Sequence, residues 1–328
     1  MRYTNLKDIP IALAVWLVND DYDYINDPNY ISVTSLMRPV KQLVLGQRVK
    51  QGSMAGDTPP DLESLIPSAL GSTIHAGVEN AWGPERLAGN LAKLGYSPEQ
   101  IARIKVNPTD PVVIADKNNV IVWIEKRAYR KVGKWTVGGK FDFVIDGAVQ
   151  DTKTTTAFTW LYGGKDDQYI EQGSQYRWLN PDKIFEDVMA INFVFTDWSA
   201  ASAKSNPGYP DCRIKQKTFY LKPVAQVEQE NLLKLQLIEQ SLSLPEEMLP
   251  PCTEEEVWLS EPVFKYYADP AKTSGRSTKN FSSLLEANAH KAATGKGVVI
   301  PQPRIAKRCS KYCDGFALCK QKDQYLHD

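Results

Sequence analysis

Cysteine is missing from the first 211 residues, and all five copies in the 328-residue chain fall after that point. An odd number, with three crowded between Cys309 and Cys319, excludes a disulfide framework spread over the fold. Metal binding in a reducing compartment is the better use for such a cluster. Also missing is any apolar run near the ~20 residues needed to cross a bilayer. The nearest, Ile9 to Val18, is short and runs into Asp20, Asp21 and Asp23. It has no basic leader and no small-residue cleavage site, so the expectation is a cytoplasmic protein without a membrane partner. A basic excess is absent too: Lys plus Arg and Asp plus Glu are 39 each. That balance removes the simplest argument for a polyanionic partner. It does not exclude one, because an acidic metal site and a basic groove cancel in the sum.

What is present is the composition of an ordinary globular chain, long enough for one large domain or a core with an added module. The texture divides it into an N-terminal helical and loop region (1–70) packing on a core (71–244), followed by a C-terminal extension (245–328). Gln51 to Pro60 reads as loop. Leu70 to Trp82 reads as helix, with Leu70, Ile74, Val78 and Trp82 in one apolar stripe and His75 and Glu79 on the adjoining face. A second helix follows from Pro84 to Leu94. Val120–Arg130, Trp135–Ile145 and Ala148–Thr155 read as three strands, the last two joined by Asp146-Gly147, a strong hairpin signal. Asp167–Trp178 then reads as helix, Val188–Phe195 as a buried strand, Lys217–Leu221 as another, and Val224–Leu242 and Ser282–Ala293 as helices.

The hairpin carries the chemistry. It places Asp142 and Asp151 on neighbouring antiparallel strands, and Lys153 leaves the same strand face as Asp151. Two carboxylates with the Thr152 carbonyl nearby suit Mg²⁺ or Mn²⁺, which take oxygen ligands and keep several waters. Such an ion polarises a phosphoryl oxygen and lowers the pKa of an attacking water. An ammonium beside it can orient or deprotonate that water and neutralise charge in the transition state. Asp142 lies inside the run Phe141, Phe143, Val144, Ile145, where an unpaired carboxylate would be costly to bury.

Asp142 followed by Asp151-Thr152-Lys153 resembles the core of the PD-(D/E)xK nuclease superfamily. Two further runs resemble its RecB-like branch, which includes the CRISPR-adaptation exonucleases. One is Gly71-Ser72-Thr73-Ile74-His75 with Glu79, matching a helix whose histidine is a metal ligand. The other is Gln172-Gly173-Ser174-Gln175-Tyr176, matching a helix with a Q-x-x-x-Y pattern. The three motifs keep the family's order from His75 to Tyr176, and the rest of the chain is similar to stand-alone, often phage-encoded members.

The resemblance implies an α/β fold with a mixed central sheet flanked by helices and a C-terminal cysteine-containing extension. It implies a Mg²⁺- or Mn²⁺-dependent deoxyribonuclease, an exonuclease more than a site-specific endonuclease, in DNA recombination, repair or phage DNA metabolism. His75, Asp142, Asp151 and the Thr152 carbonyl would hold metal, with Glu79 as an accessory. Lys153 would activate water, and Gln172 and Tyr176 would position the strand. The partner would be single- or double-stranded DNA ends, with recombination or replication proteins and homo-oligomerisation left open.

In that branch four cysteines often bind an iron–sulfur cluster, one of them N-terminal. This chain has no such residue. Cys309, Cys313 and Cys319 would need Cys252 or Cys212 as a fourth ligand, for a [4Fe-4S] cluster, for Zn²⁺, or for no metal at all. Two other functions compete with an exonuclease. One is a structure-specific endonuclease; the other is a non-catalytic DNA-binding scaffold that keeps the fold, against which the intact Asp142, Asp151, Lys153 set argues.

Overall fold

Apolar runs and stretches of period-two alternation build strands with one or both faces buried, and such patterns recur between Val120 and Val149. In the computed structural model, which describes residues 3–20, 23–51 and 60–325, that stretch is the middle of a seven-stranded mixed sheet. Its strands are β1 (Tyr30–Ser32), β2 (Ile104–Val106), β3 (Val120–Val132), β4 (Trp135–Ile145), β5 (Ala148–Thr155), β6 (Val188–Phe195) and β7 (Ile214–Tyr220). They lie in the order β2-β3-β4-β5-β6-β7, with β1 attached to β4. The α/β class and the mixed, helix-flanked sheet are as the sequence predicts.

The β4–β5 hairpin turns on Asp146 and Gly147, both at positive φ (48° and 82°), the conformation that a tight primed turn demands. A Cβ on Gly147 would stand 2.3 Å from the Phe185 ring. Ladder pairing between these strands covers only Ile145–Ala148, Val144–Val149 and Phe143–Gln150. Further back, the same edge of β4 is taken by β1, in parallel, at Thr136 to Gly138. Between those two partners the edge of β4 carries no strand, and Asp142 lies in that opening. β5 meanwhile runs parallel to β6 from Val149–Met189 to Thr155–Phe195.

Helices flank this sheet. One, Ile66–Ala81, begins four residues earlier than the apolar spacing predicts and has a proline in its first turn. Its stripe is only partly realised: Val78 and Trp82 pack on the cluster of Val122, Ile124 and Phe143, while Leu70 is 40% exposed. A spacing of four gains about 40° per step on a 3.6-residue helix, so Leu70 and Trp82 cannot share one face. Another helix, Asp166–Leu179, buries Tyr169, Gly173, Tyr176, Trp178 and Leu179. Gly173 allows its close approach, since a Cβ there would lie 2.5 Å from Met189 Sδ on β6.

The chain divides into two compact units, residues 1–37 with 57–233, and residues 38–56 with 234–328. The boundaries therefore differ from the sequence reading. Residues 38 to 56 join the second unit because Val44 and Leu45 of the helix Val40–Gln51 bury against Leu249 and Cys319. Within that unit Lys41 and Glu246 form a buried ion pair at 2.7 Å, and Arg48 donates to the carbonyls of Leu242 and Leu244. The second unit also holds a three-stranded antiparallel sheet of β8 (Phe264–Tyr267), β9 (Lys279–Phe281) and β10 (Val298–Pro301), in the order β10-β8-β9. Most of the loop read at Gln51 to Pro60, residues 52–59, lies outside the described residues, as does Asp21. Among the described residues no helix is long and apolar enough to cross a membrane.

Candidate active site

Where the β4–β5 ladder stops, side chains take over. Register places Asp142 opposite Asp151, one step beyond the Phe143–Gln150 pair. There the Thr152 N–H donates to Asp142 Oδ2 at 3.2 Å rather than to a backbone carbonyl. The Thr152 carbonyl accepts from His75 Nε2 at 2.7 Å, and His75 Nδ1 lies 3.1 Å from the same Asp142 oxygen. The main chain of one residue, one carboxylate and one imidazole thus close a ring of contacts between the helix Ile66–Ala81 and the hairpin. With both ring nitrogens facing oxygens, the imidazole is favoured as the cation. The hydrogen bond to Asp142 raises the His75 pKa in spite of burial. Burial pushes the Asp142 carboxyl up, but the hydrogen bond and charge of His75, the Thr152 amide and Lys153 outweigh it and hold Asp142 below its ordinary value.

Asp151 is more deeply placed, at 2% exposure. Burial, aided by the charge of Asp142 and opposed by Lys153, pushes its pKa up to about 6. The Lys153 ammonium sits 2.6 Å from Asp151 Oδ2, yet its angle of approach leaves that oxygen without a well-directed hydrogen bond. On the helix Asp166–Leu179, Gln172 donates to the Tyr176 hydroxyl at 2.9 Å, so the two do share a face. Tyr176 is buried, and its hydroxyl is pushed well above the ordinary range by that burial and by Asp151 and Asp142. Glu79 is exposed one turn beyond His75.

Two residues of the site escape the sequence reading, Glu125 and Lys140. Ile124 pairs with Phe143 and Lys126 with Phe141, so Glu125 on β3 stands across from Asp142, and the ladder skips only that pair. Glu125 has left-handed backbone, φ 53°, and an ion pair with Lys140. Burial raises its pKa, Lys140 opposes, and the charges of Asp142 and Glu79 add to the rise. Lys140 precedes Asp142 by two on β4, as Lys153 follows Asp151 by two on β5. The signal available was that mirrored spacing, K-x-D before the turn and D-x-K after it.

Among the described residues no group of three or more His, Cys, Asp and Glu side chains converges as a ready-made metal site. The carboxylates are engaged in pairs, Asp142 by His75 and Asp151 by Lys153. The donor chemistry still fits a hard divalent cation: two carboxylates, a carbonyl and an imidazole, with a buried Asp151 oxygen lacking a directed partner.

The cysteines divide as well. Cys252, Cys309, Cys313 and Cys319 belong to the second unit, and burial first, then neighbouring thiols, raise the pKa of Cys252, Cys309 and Cys313. Burial first, then Glu256 and the other three thiols, push Cys252 up to about 12. Gln321 fixes this end of the cluster, accepting from the Cys252 N–H at 2.9 Å and donating to its carbonyl at 2.7 Å. Cys212 belongs to the first unit, is exposed and contacts the Ile214 carbonyl. No disulfide forms among the described residues.

No family model matches the chain, and no curated protein matches it either. Among solved structures it is similar to SSO0001, at 14% identity and a TM-score of 0.36 over 64% of this chain and 78% of that one. It is also similar to a candidate exonuclease from Eubacterium rectale, at 12% identity and a TM-score of 0.36 over 82% and 99% of the two chains. At that level neither likeness bears on what the chain does.

Proposed function

We propose that the chain is a Mg²⁺- or Mn²⁺-dependent deoxyribonuclease acting at DNA ends. The observation that supports this most is the meeting of His75, Asp142 and the Thr152 carbonyl, with the Asp151–Lys153 pair next to them on the hairpin. Asp142, Asp151, the Thr152 carbonyl and His75 would hold the cation, with Glu79 as an accessory. When bound, it would polarise the scissile phosphate and acidify a water. Lys153 would orient that water and offset the charge that grows on the phosphoryl oxygens. Gln172 and Tyr176, locked to each other, would hold a DNA strand or the lysine in place. His75 can ligate only as the neutral ring, so metal affinity and activity fall as pH drops through its raised pKa.

The thiols of Cys252, Cys309, Cys313 and Cys319, all in the second unit, would bind a structural iron–sulfur cluster or a zinc ion once drawn together. Metal and sulfide analysis of purified protein separates those two from neither. The test of the activity is end-labelled linear DNA incubated with Mg²⁺, Mn²⁺ or EDTA, beside the Asp151→Ala variant. Metal-dependent loss of label that is absent in the variant is expected. No cleavage of single- or double-stranded DNA with either metal favours a DNA-binding scaffold, and cutting of circular single-stranded DNA favours an endonuclease.

A further inference from the structure

Between Pro262 and Lys311 the chain carries ten Lys and Arg against two Asp and Glu, in a protein whose totals are equal. This segment builds the β8–β10 sheet and the helix Leu284–Thr294. One buried side chain, Tyr266, ties its cationic parts together. The Thr278 N–H donates to the Tyr266 carbonyl at 2.9 Å, and Lys279 is Tyr266's partner across the ladder. Its hydroxyl bonds Thr294 Oγ1 at 2.9 Å and donates to the Lys296 carbonyl at 3.2 Å. Its ring stands edge-on to His290 at 4.8 Å. Arg276, Lys279, Lys291 and Lys296 therefore sit within two residues of groups that touch Tyr266 or pair with it, and all four are exposed.

The two acids do not cancel them. Asp269 pairs with Lys272 at 3.6 Å, and Glu286 is in the first turn of the helix while Lys291 is in its last. A run of acids, Glu246, Glu247, Glu254, Glu255, Glu256 and Glu261, ends just before the segment begins, so the total hides the local excess. Four exposed cations gathered around Tyr266, without carboxylate partners among the described residues, are complementary in charge to a polyphosphate backbone. Contacts to phosphate hold a duplex in place without reading its sequence.

We propose that this module is a docking surface for the phosphate backbone of DNA, built from residues separate from the His75–Lys153 centre. The proposal rests on the nuclease reading for its choice of polyanion. It implies sequence-independent, salt-sensitive binding, because each phosphate engaged releases condensed counterions.

The experiment is fluorescence anisotropy of an end-labelled duplex with the full chain in EDTA over a salt series. Wild type is compared with the fourfold Arg276→Ala, Lys279→Ala, Lys291→Ala, Lys296→Ala variant and with the charge-keeping Lys279→Arg, Lys291→Arg, Lys296→Arg variant. In the alanine variant the log–log salt slope should fall by about 0.9 for each phosphate no longer engaged, with affinity weaker by about tenfold or more at near-physiological salt. The arginine variant should behave as wild type, and turnover of a saturating short duplex with metal should be unchanged in both. Should the fourfold variant not fold, Lys291→Ala and Lys296→Ala singly should each lower the slope by about one. Equal slopes for wild type and the alanine variant, or an arginine variant as weak as the alanine one, overturn the proposal. So does a wild type that binds phosphatidylserine vesicles but not DNA. The nuclease reading fails by a different result, intact DNA in the presence of metal, which the EDTA titration does not touch.

Discussion

At Asp151, burial and the charge of Lys153 oppose each other. The carboxyl titrates at about 3.8 when solvated and at about 6 in the fold. A raised carboxyl pKa means the native state binds the proton more tightly, so ionising it costs stability as pH rises from about 4 to 6, and the cost stays in full above that window. Asp151→Asn removes the charge and should raise the metal-free protein's stability at pH 7 by on the order of 1–3 kcal/mol, less the lost Lys153 pairing. That gain should shrink towards zero as pH falls from 6 to 4. Thermal denaturation in EDTA at several pH values reads it directly, and a variant no more stable than wild type at pH 7 contradicts the account. Glu125 makes a second residue-scale case. Its φ of 53° costs an L-residue on the order of 1 kcal/mol. Glu125→Gly should therefore be more stable than Glu125→Ala by about 1 kcal/mol in denaturant melts, though both lose the Lys140 ion pair.

At the scale of elements, the hairpin is the part on which the site depends. Gly147→Ala combines a positive φ with a Cβ 2.3 Å from the exposed Phe185 ring, which must swing aside, and should cost roughly 1–2 kcal/mol in denaturant melts. The hairpin was legible because period-two alternation and Asp146-Gly147 agree, which is why its bounds come out as read. Helices were legible as helices, but their faces less so: the spacing of four at Leu70, Ile74, Val78 and Trp82 drifts round the cylinder. Glu125 was not legible, because a single Glu between Ile124 and Lys126 looks like any outward charge. What marks it is the backbone and its place opposite Asp142, neither of which local pattern encodes. The packing of the helix Val40–Gln51 was not legible for a related reason, since Val44 and Leu45 find their partner Leu249 far along the chain.

At the scale of the whole molecule, neutrality conceals segregation. The first unit has 22 Lys and Arg against 27 Asp and Glu, and the second has 17 against 12. A chain of zero net charge with evenly mixed surfaces passes through ion-exchange resins at neutral pH. This one should be retained at low salt by both cation and anion exchangers and released from both by moderate salt, because local fields bind the resin. Flow through either resin counts against such segregation.

Thr152 is clamped through its main chain, the N–H by Asp142 and the carbonyl by His75, while its side chain takes no part in the ring of contacts. A survey of substitutions would therefore score position 152 as permissive to isosteres such as valine and intolerant only of proline. Such a survey would pass over the residue that joins the two halves of the site. Replacing its amide by an ester, an exchange of one atom in the backbone, is the perturbation to which this centre is most exposed.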